Sequence, residues 1–309
     1  MTNTSPKPLR DLMRFHTDPL VNPLCWTSRH LDFVGCRFGH ADPANTESRS
    51  TPCDSKSNKS SPRDAELLAT NPFPIIKHCH LTNILLATSL RSKGSQFFFA
   101  DRPVHRPQYS VFYRHGHSDP QVYSNSPPLV GNLHYTSVVG DRGRQFEPFP
   151  DPHGGLNFLG SRILTKRMAQ ITPQEWTRDP YFVCLLLAIA QLQERRLGLS
   201  EPSTYTSRLL VTRISDREYI HLHEAKITTE LLEALRDPAS ATTYTEWPVI
   251  WQRKLPFKPY DTFADRLVAE LVQACSLWSH DSSELLDGEC GTKQSNEDED
   301  GRESKIRRK

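Results

Sequence analysis

No stretch of this chain is long and apolar enough to cross a bilayer. The longest nearly apolar run, 181–190, is half the roughly 20 residues that a spanning helix requires. The opening Met1-Thr2-Asn3-Thr4-Ser5-Pro6-Lys7 lacks the apolar segment of a secretory signal, so neither export nor a membrane is expected. Cysteine is sparse and scattered: seven residues, at 25, 36, 53, 79, 184, 275 and 290, form no C-x-x-C pair. That argues against a zinc finger, and it suits a reducing compartment, cytoplasmic or nuclear, better than a disulfide framework. An excess of one charge is also missing, since 38 Lys+Arg stand against 36 Asp+Glu for a formal +2. Net charge therefore points to no partner. A P-loop, a hydrolase elbow and an internal repeat are all absent.

What is present is unevenly spread. The apolar share of 36% is lean beside the roughly 45–50% of an ordinary domain, so part of the chain is expected to stay unpacked. Residues 1–71 are rich in Ser, Thr, Pro and Asn and read as mostly disordered. Within them 24–38 carries Trp26, Leu31, Phe33 and Phe38, enough to dock but too little to fold alone. Residues 279–309 read as a disordered charged tail, Glu297-Asp298-Glu299-Asp300 followed by the basic 305–309, which also has the composition of a nuclear-localisation signal. Ser5, Ser50, Ser60 and Ser61 are candidate phosphosites on flexible chain. Between the two ends, 72–278 reads as one α+β domain. A subdomain seam is expected near 148–155, where Pro148, Pro150, Pro152 and Gly154-Gly155 cluster.

In the first half of that domain, alternation at 109–113 and 135–139 predicts strands, and 81–90 predicts one short helix. The second half is more legible. Thr172-Pro173-Gln174-Glu175 has capping-box order and predicts a short helix. Asp179-Pro180 repeats the signal and Gly198 closes the helix. Its first residues are apolar all round, so this helix is expected at the buried centre. The β-rich runs 207–214 and 219–227, joined by Ser215-Asp216-Arg217-Glu218, predict a hairpin. Thr228 can cap a following helix, with Ile227 and Leu232 as a hydrophobic staple and Pro238 as the stop. A strand over 248–255 and an amphipathic helix opened by Thr262-x-x-Asp265, with Phe263, Leu267, Leu271, Ala274 and Trp278 on one face, complete an α-β-β-α-β-α order. The expected architecture is a central buried helix, a hairpin and a mixed sheet flanked by helices.

The segments 163–170, Trp176 with 178–183, and 255–260 with Phe263 and Arg266-Leu267 resemble a set of uncharacterised proteins of filamentous ascomycetes. The resemblance spans about residues 155–275. It implies a fungal, intracellular origin and one continuous domain, and no activity, cofactor or site residue.

Three constellations could carry chemistry. In a strand, Ile220, Leu222, Glu224 and Lys226 share one face, bringing a carboxylate and an ammonium side by side. This resembles the (D/E)-x-K strand of the PD-(D/E)xK nucleases, which implies a Mg²⁺-dependent phosphodiester hydrolase with Asp216, Glu224 and Lys226 as catalytic residues. The alternative is an exposed cross-strand ion pair. Three His-x-His pairs, 78/80, 115/117 and 221/223, with Cys79, His105 and Asp119 nearby in sequence, would each project to one face of a strand and could ligate zinc or iron. Finally, Arg91, Lys93, Arg102, Arg106 and Arg114 interleave with Phe97, Phe98, Phe99, Tyr109, Phe112 and Tyr113, a pattern suited to nucleic-acid phosphates and bases. Cys184 and Cys275 read as small hydrophobes, not nucleophiles. With no catalytic motif of specific spacing, the leading expectation is a non-enzymatic structural or interaction protein with a protein partner and no cofactor. A Mg²⁺-dependent nuclease or nucleic-acid-binding protein is the alternative.

Overall fold

A computed structural model describes residues 8–15, 21–40, 62–86, 89–114, 128–151, 153–198 and 203–273. Along the chain these form α1 (Leu9–Phe15), a 3-10 turn (Pro23–Cys25), α2 (Ser28–Val34), β1 (Arg37–His40), α3 (Pro62–Thr70) and α4 (Pro74–Leu86). There follow β2 (Ser89–Lys93), β3 (Phe97–Phe99), β4 (Arg102–His105), β5 (Ser110–Arg114), β6 (Pro128–His134), α5 (Tyr135–Gln145) and α6 (Phe158–Ile171). A second 3-10 turn (Trp176–Arg178) leads into α7 (Tyr181–Leu197), β7 (Thr204–Thr212), β8 (Tyr219–Thr228), α8 (Thr229–Arg236), β9 (Val249–Pro256) and α9 (Phe263–Gln273). The described residues up to Val272 form one compact unit.

The local causes are those the sequence supplies. Asp179 Oδ1 accepts the Tyr181 amide at 2.9 Å, and Gly198, in the left-handed region at φ 53°, closes α7. Every residue of 181–190 is 0–1% exposed, so the apolar helix does lie at the centre. Each large side chain there gains about 1.5–3 kcal/mol from burial. The Thr228 hydroxyl caps α8 by accepting the Leu231 amide at 3.3 Å. Ile227 and Leu232 are both buried beside it.

Seven strands build one mixed sheet in the order β1-β9-β8-β7-β6-β5-β2, and β3 with β4 forms a separate hairpin. Pairing is parallel at β1–β9 and β6–β7 and antiparallel elsewhere in the sheet. The side-chain period of two divides the core. Leu209, Val211, Ala225 and Ile227 pack with α7, α8 and the N-terminal helices. Val130, Leu210, Ile220 and Leu222 pack with α3, α4 and α9. The sheet is therefore sandwiched between two helical layers, an α+β architecture.

Several local expectations change. The stretch 135–139 opens a helix instead of a strand, because His134 Nδ1 accepts the Thr136 amide at 3.3 Å and Tyr135, Val138 and Arg142 form a helical buried face. The helix expected over 81–90 starts earlier, at Pro74, and ends at Leu86, while Leu90 belongs to β2. No helix opens at Thr172. That residue ends α6, and only the 3-10 turn follows. Ordered elements also begin well before residue 72: Leu9, Leu12, Leu24, Leu31 and Val34 all enter the core beside α7. Ala274, Cys275, Trp278, the 279–309 tail and the serines at 5, 50, 60 and 61 lie outside the described residues. Among the described residues no helix is long and apolar enough to cross a membrane.

Candidate functional site

The hairpin places Asp216, Glu224 and Lys226 in three different settings. Asp216 Oδ1 accepts the amides of Glu218 (3.1 Å) and Tyr219 (3.0 Å), and Oδ2 meets His221 Nε2 at 2.7 Å. Partial burial opposes its charge, but the hydrogen bonds from His221 and the two amides outweigh this and hold its pKa below the ordinary carboxylate value. Glu224 is buried. It stands opposite Arg208 on β7 and accepts from Arg208 Nε at 2.7 Å, a buried cross-strand pair where an exposed one is the simpler expectation. Lys226 is exposed. Glu224 shares the face of Leu222, whereas His221, which holds Asp216, points to the opposite one. Both carboxylates thus have protein partners of their own.

The histidine pairs separate in a similar way. Residues 78 and 80 lie on helix α4, where a spacing of two turns side chains apart. His78 Nδ1 meets Asn132 at 3.0 Å and His80 Nδ1 meets Asp64 at 2.7 Å. On β8, His221 and His223 do share a face, but His223 Nε2 is bonded to the Thr177 carbonyl at 2.8 Å. His105 is bonded to the Tyr181 hydroxyl at 2.7 Å. Residues 115, 117 and 119 lie outside the described residues. Among the described residues no group of three or more His, Cys, Asp and Glu is placed to hold a metal ion.

In the basic and aromatic window, Arg91, Lys93, Arg102 and Arg106 are exposed, but Phe97, Tyr109, Phe112 and Tyr113 are buried. The Arg195 guanidinium lies over the Phe98 ring at 4.7 Å, and that of Arg196 over Tyr113 at 4.0 Å. These rings serve the body of the protein.

A second polar cluster, not foreseen from the sequence, ties three helical segments together. Arg142 Nη1 and Nη2 donate to the two oxygens of Asp179 at 2.6 and 2.8 Å. Its Nε donates to the Leu24 carbonyl at 2.7 Å, and the Tyr135 hydroxyl donates to Asp179 Oδ2 at 2.8 Å. Desolvation opposes the Arg142 charge, yet the Asp179 carboxylate more than offsets it and raises the pKa. Lys77 is likewise buried, and its Nζ donates to the Leu68 and Ala69 carbonyls at 2.6 and 2.8 Å, satisfying the end of α3. Desolvation, reinforced by Arg217, pushes Lys77 down to about 8. Both clusters hold the structure together.

The surface feature that stands apart is α6. It has no buried residue, yet Phe158 is 74% and Leu159 69% exposed, with Ile163 also outside. Phe149 and Leu156 in the preceding loop are 88% and 78% exposed. Local bonds keep this loop and helix in place of a core: Asn157 Oδ1 accepts the Gly160 amide at 2.7 Å. The Asn157 side-chain amide donates to the Phe149 carbonyl at 3.0 Å, and the Asp151 amide donates to the Gly155 carbonyl at 3.1 Å. Between residues 152 and 174 there is no Asp or Glu, while Arg162, Lys166 and Arg167 are present. Around the helix, Phe158, Leu159 and Ile163 interleave with Arg162 and Lys166 on the exposed side. An acid-free run with apolar residues in no core stripe was the sequence signal for this surface. No protein-family model, no curated protein and no solved structure matches the chain.

Proposed function

We propose that this is a non-enzymatic interaction protein that docks an acidic protein partner through α6 and the loop before it. The observation that carries the reading is five large apolar side chains held in water: Phe158, Leu159 and Ile163 on a helix without a buried residue, and Phe149 and Leu156 in the loop before it. Exposed apolar groups gathered in one place mark an interaction surface. Their cationic neighbours Arg162 and Lys166 call for carboxylates opposite. A lipid surface favours a helix whose apolar and basic residues separate onto two faces. Interleaving favours instead a protein groove that takes Phe and Leu as anchors in pockets and meets the cations at an acidic rim. We place the interaction in the cytoplasm or nucleus, which the free cysteines Cys25, Cys36, Cys79 and Cys184 support.

The test compares the full chain with a Phe158→Glu/Ile163→Glu variant in affinity capture after zero-length carbodiimide cross-linking. The expected result is a partner joined through a carboxylate to Lys166 and lost from the variant. An identical set of captured proteins from both chains, or binding only to anionic vesicles or RNA, overturns the reading.

A further inference from the structure

An apolar cavity of about 390 Å³ lies beneath the N-terminal helices, within the volume range of small-molecule sites. Its walls converge from distant parts of the chain: Leu12 of α1, Trp26 after the first 3-10 turn, Phe97 and Phe99 of β3, and Trp247 before β9. Among the described residues, none that lines the cavity carries a carboxylate, an ammonium or a guanidinium. The polar side chains in the wall serve the protein's own turns. Asn22 Oδ1 accepts the Leu24 amide at 3.0 Å, His30 Nδ1 accepts the Thr27 amide at 3.0 Å, and the Trp26 indole N–H donates to the Val21 carbonyl at 3.3 Å.

These observations restrict what can enter. A charged guest would lose its hydration and meet no counter-charge. Water would find too few hydrogen-bonding partners to fill the space well. Aromatic walls, by contrast, suit a flat hydrocarbon: Trp26, Phe97, Phe99 and Trp247 all line the cavity, and Trp26 and Phe97 brace each other edge to face, with centroids 6.0 Å apart at 84°. Val21 and Val104, 40% and 44% exposed, line the cavity where it reaches the surface. We propose that the cavity is a binding site for a neutral, largely hydrocarbon small molecule bearing a flat ring. The site shares no residue with α6, so it stands or falls independently of partner docking.

The experiment titrates the full chain with N-phenyl-naphthylamine, a neutral probe that fluoresces when removed from water, and with its charged analogue anilinonaphthalene sulfonate. The expected result is saturable one-to-one binding of the neutral probe, at least ~10-fold tighter than the sulfonate. Val104→Trp, which fills the mouth from an exposed position, is expected to weaken the neutral probe by ~10-fold with an unchanged circular dichroism spectrum. If that variant does not fold, Val21→Trp supplies the same reading from a second exposed lining position. Absence of saturable binding to the unmodified chain, equal affinity for the two probes, or undiminished binding to a folded mouth-filled variant overturns the proposal.

Discussion

At the scale of single residues, the buried charges decide the most. Arg142 and Asp179, 37 residues apart, satisfy one another only because Tyr135, Tyr181 and the Leu24 carbonyl complete their hydrogen bonds. Removing one partner leaves a buried, uncompensated charge, so Arg142→Met should lower stability by ~3–5 kcal/mol in urea unfolding. Adding Asp179→Leu should recover part of that loss, and a double variant as unstable as the sum of the singles would show that the two side chains do not act as a pair. His223 gives the protein a pH dependence of definite sign. Burial, together with the nearby His221, pushes it from 6.5 down to about 4, although its bond to the Thr177 carbonyl acts the other way. Between those values the unfolded chain holds the proton and the folded chain does not. The contribution of His223 is therefore intact above pH 6.5 and drains away as pH falls toward 4, by up to about 3 kcal/mol. His134, pushed down to about 4 as well, acts in the same direction. Urea midpoints between pH 7 and pH 4.5 test this: His223→Gln, which keeps a donor for the Thr177 carbonyl, should flatten the slope. None of these partners was legible in the sequence, since a buried ion pair of long separation leaves no spacing signal. Asp216 and Glu224 illustrate the converse. Their residue types suggested metal chemistry, but one ties the hairpin turn to His221 and the other neutralises Arg208.

At the scale of elements, legibility follows burial. Helix α7 could be read because one signal starts it, another stops it, and its first ten residues are apolar on every side. The hairpin and α8 could be read because turn, cap and staple lie within a few residues of one another. Helix α5 could not, since 135–139, with Tyr135, Thr136, Val138 and Val139, is rich in strand-forming residues and the deciding cap is a histidine. Helix α6 presents no core stripe at all, so a periodicity search passes over it. Strand β6 depends on a close approach that only glycine permits. A Cβ on Gly131 would lie 2.7 Å from Ile189 Cδ1 of α7. Gly131→Ala should therefore cost ~1–3 kcal/mol through overpacking. Adding Ile189→Val, which removes that methyl, should return part of the stability in thermal unfolding.

For the molecule as a whole, the order of the strands ties the first part of the chain to the last. Among the described strands β1 pairs with β9 alone, and the Cys36 thiol donates to the Pro248 carbonyl, 212 residues away. At the usual pace of translation, roughly 10–40 s pass between the appearance of one and the arrival of the other. For most of that wait, until α7 has been made, Leu9, Leu12, Leu24, Leu31 and Val34 are greasy cargo on a nascent chain that lacks the helix they pack against. This protein thus completes its fold from the ribosome's latest output backwards. A chaperone that shields residues 21–40 until β9 has been made is therefore expected to raise the yield of folded protein.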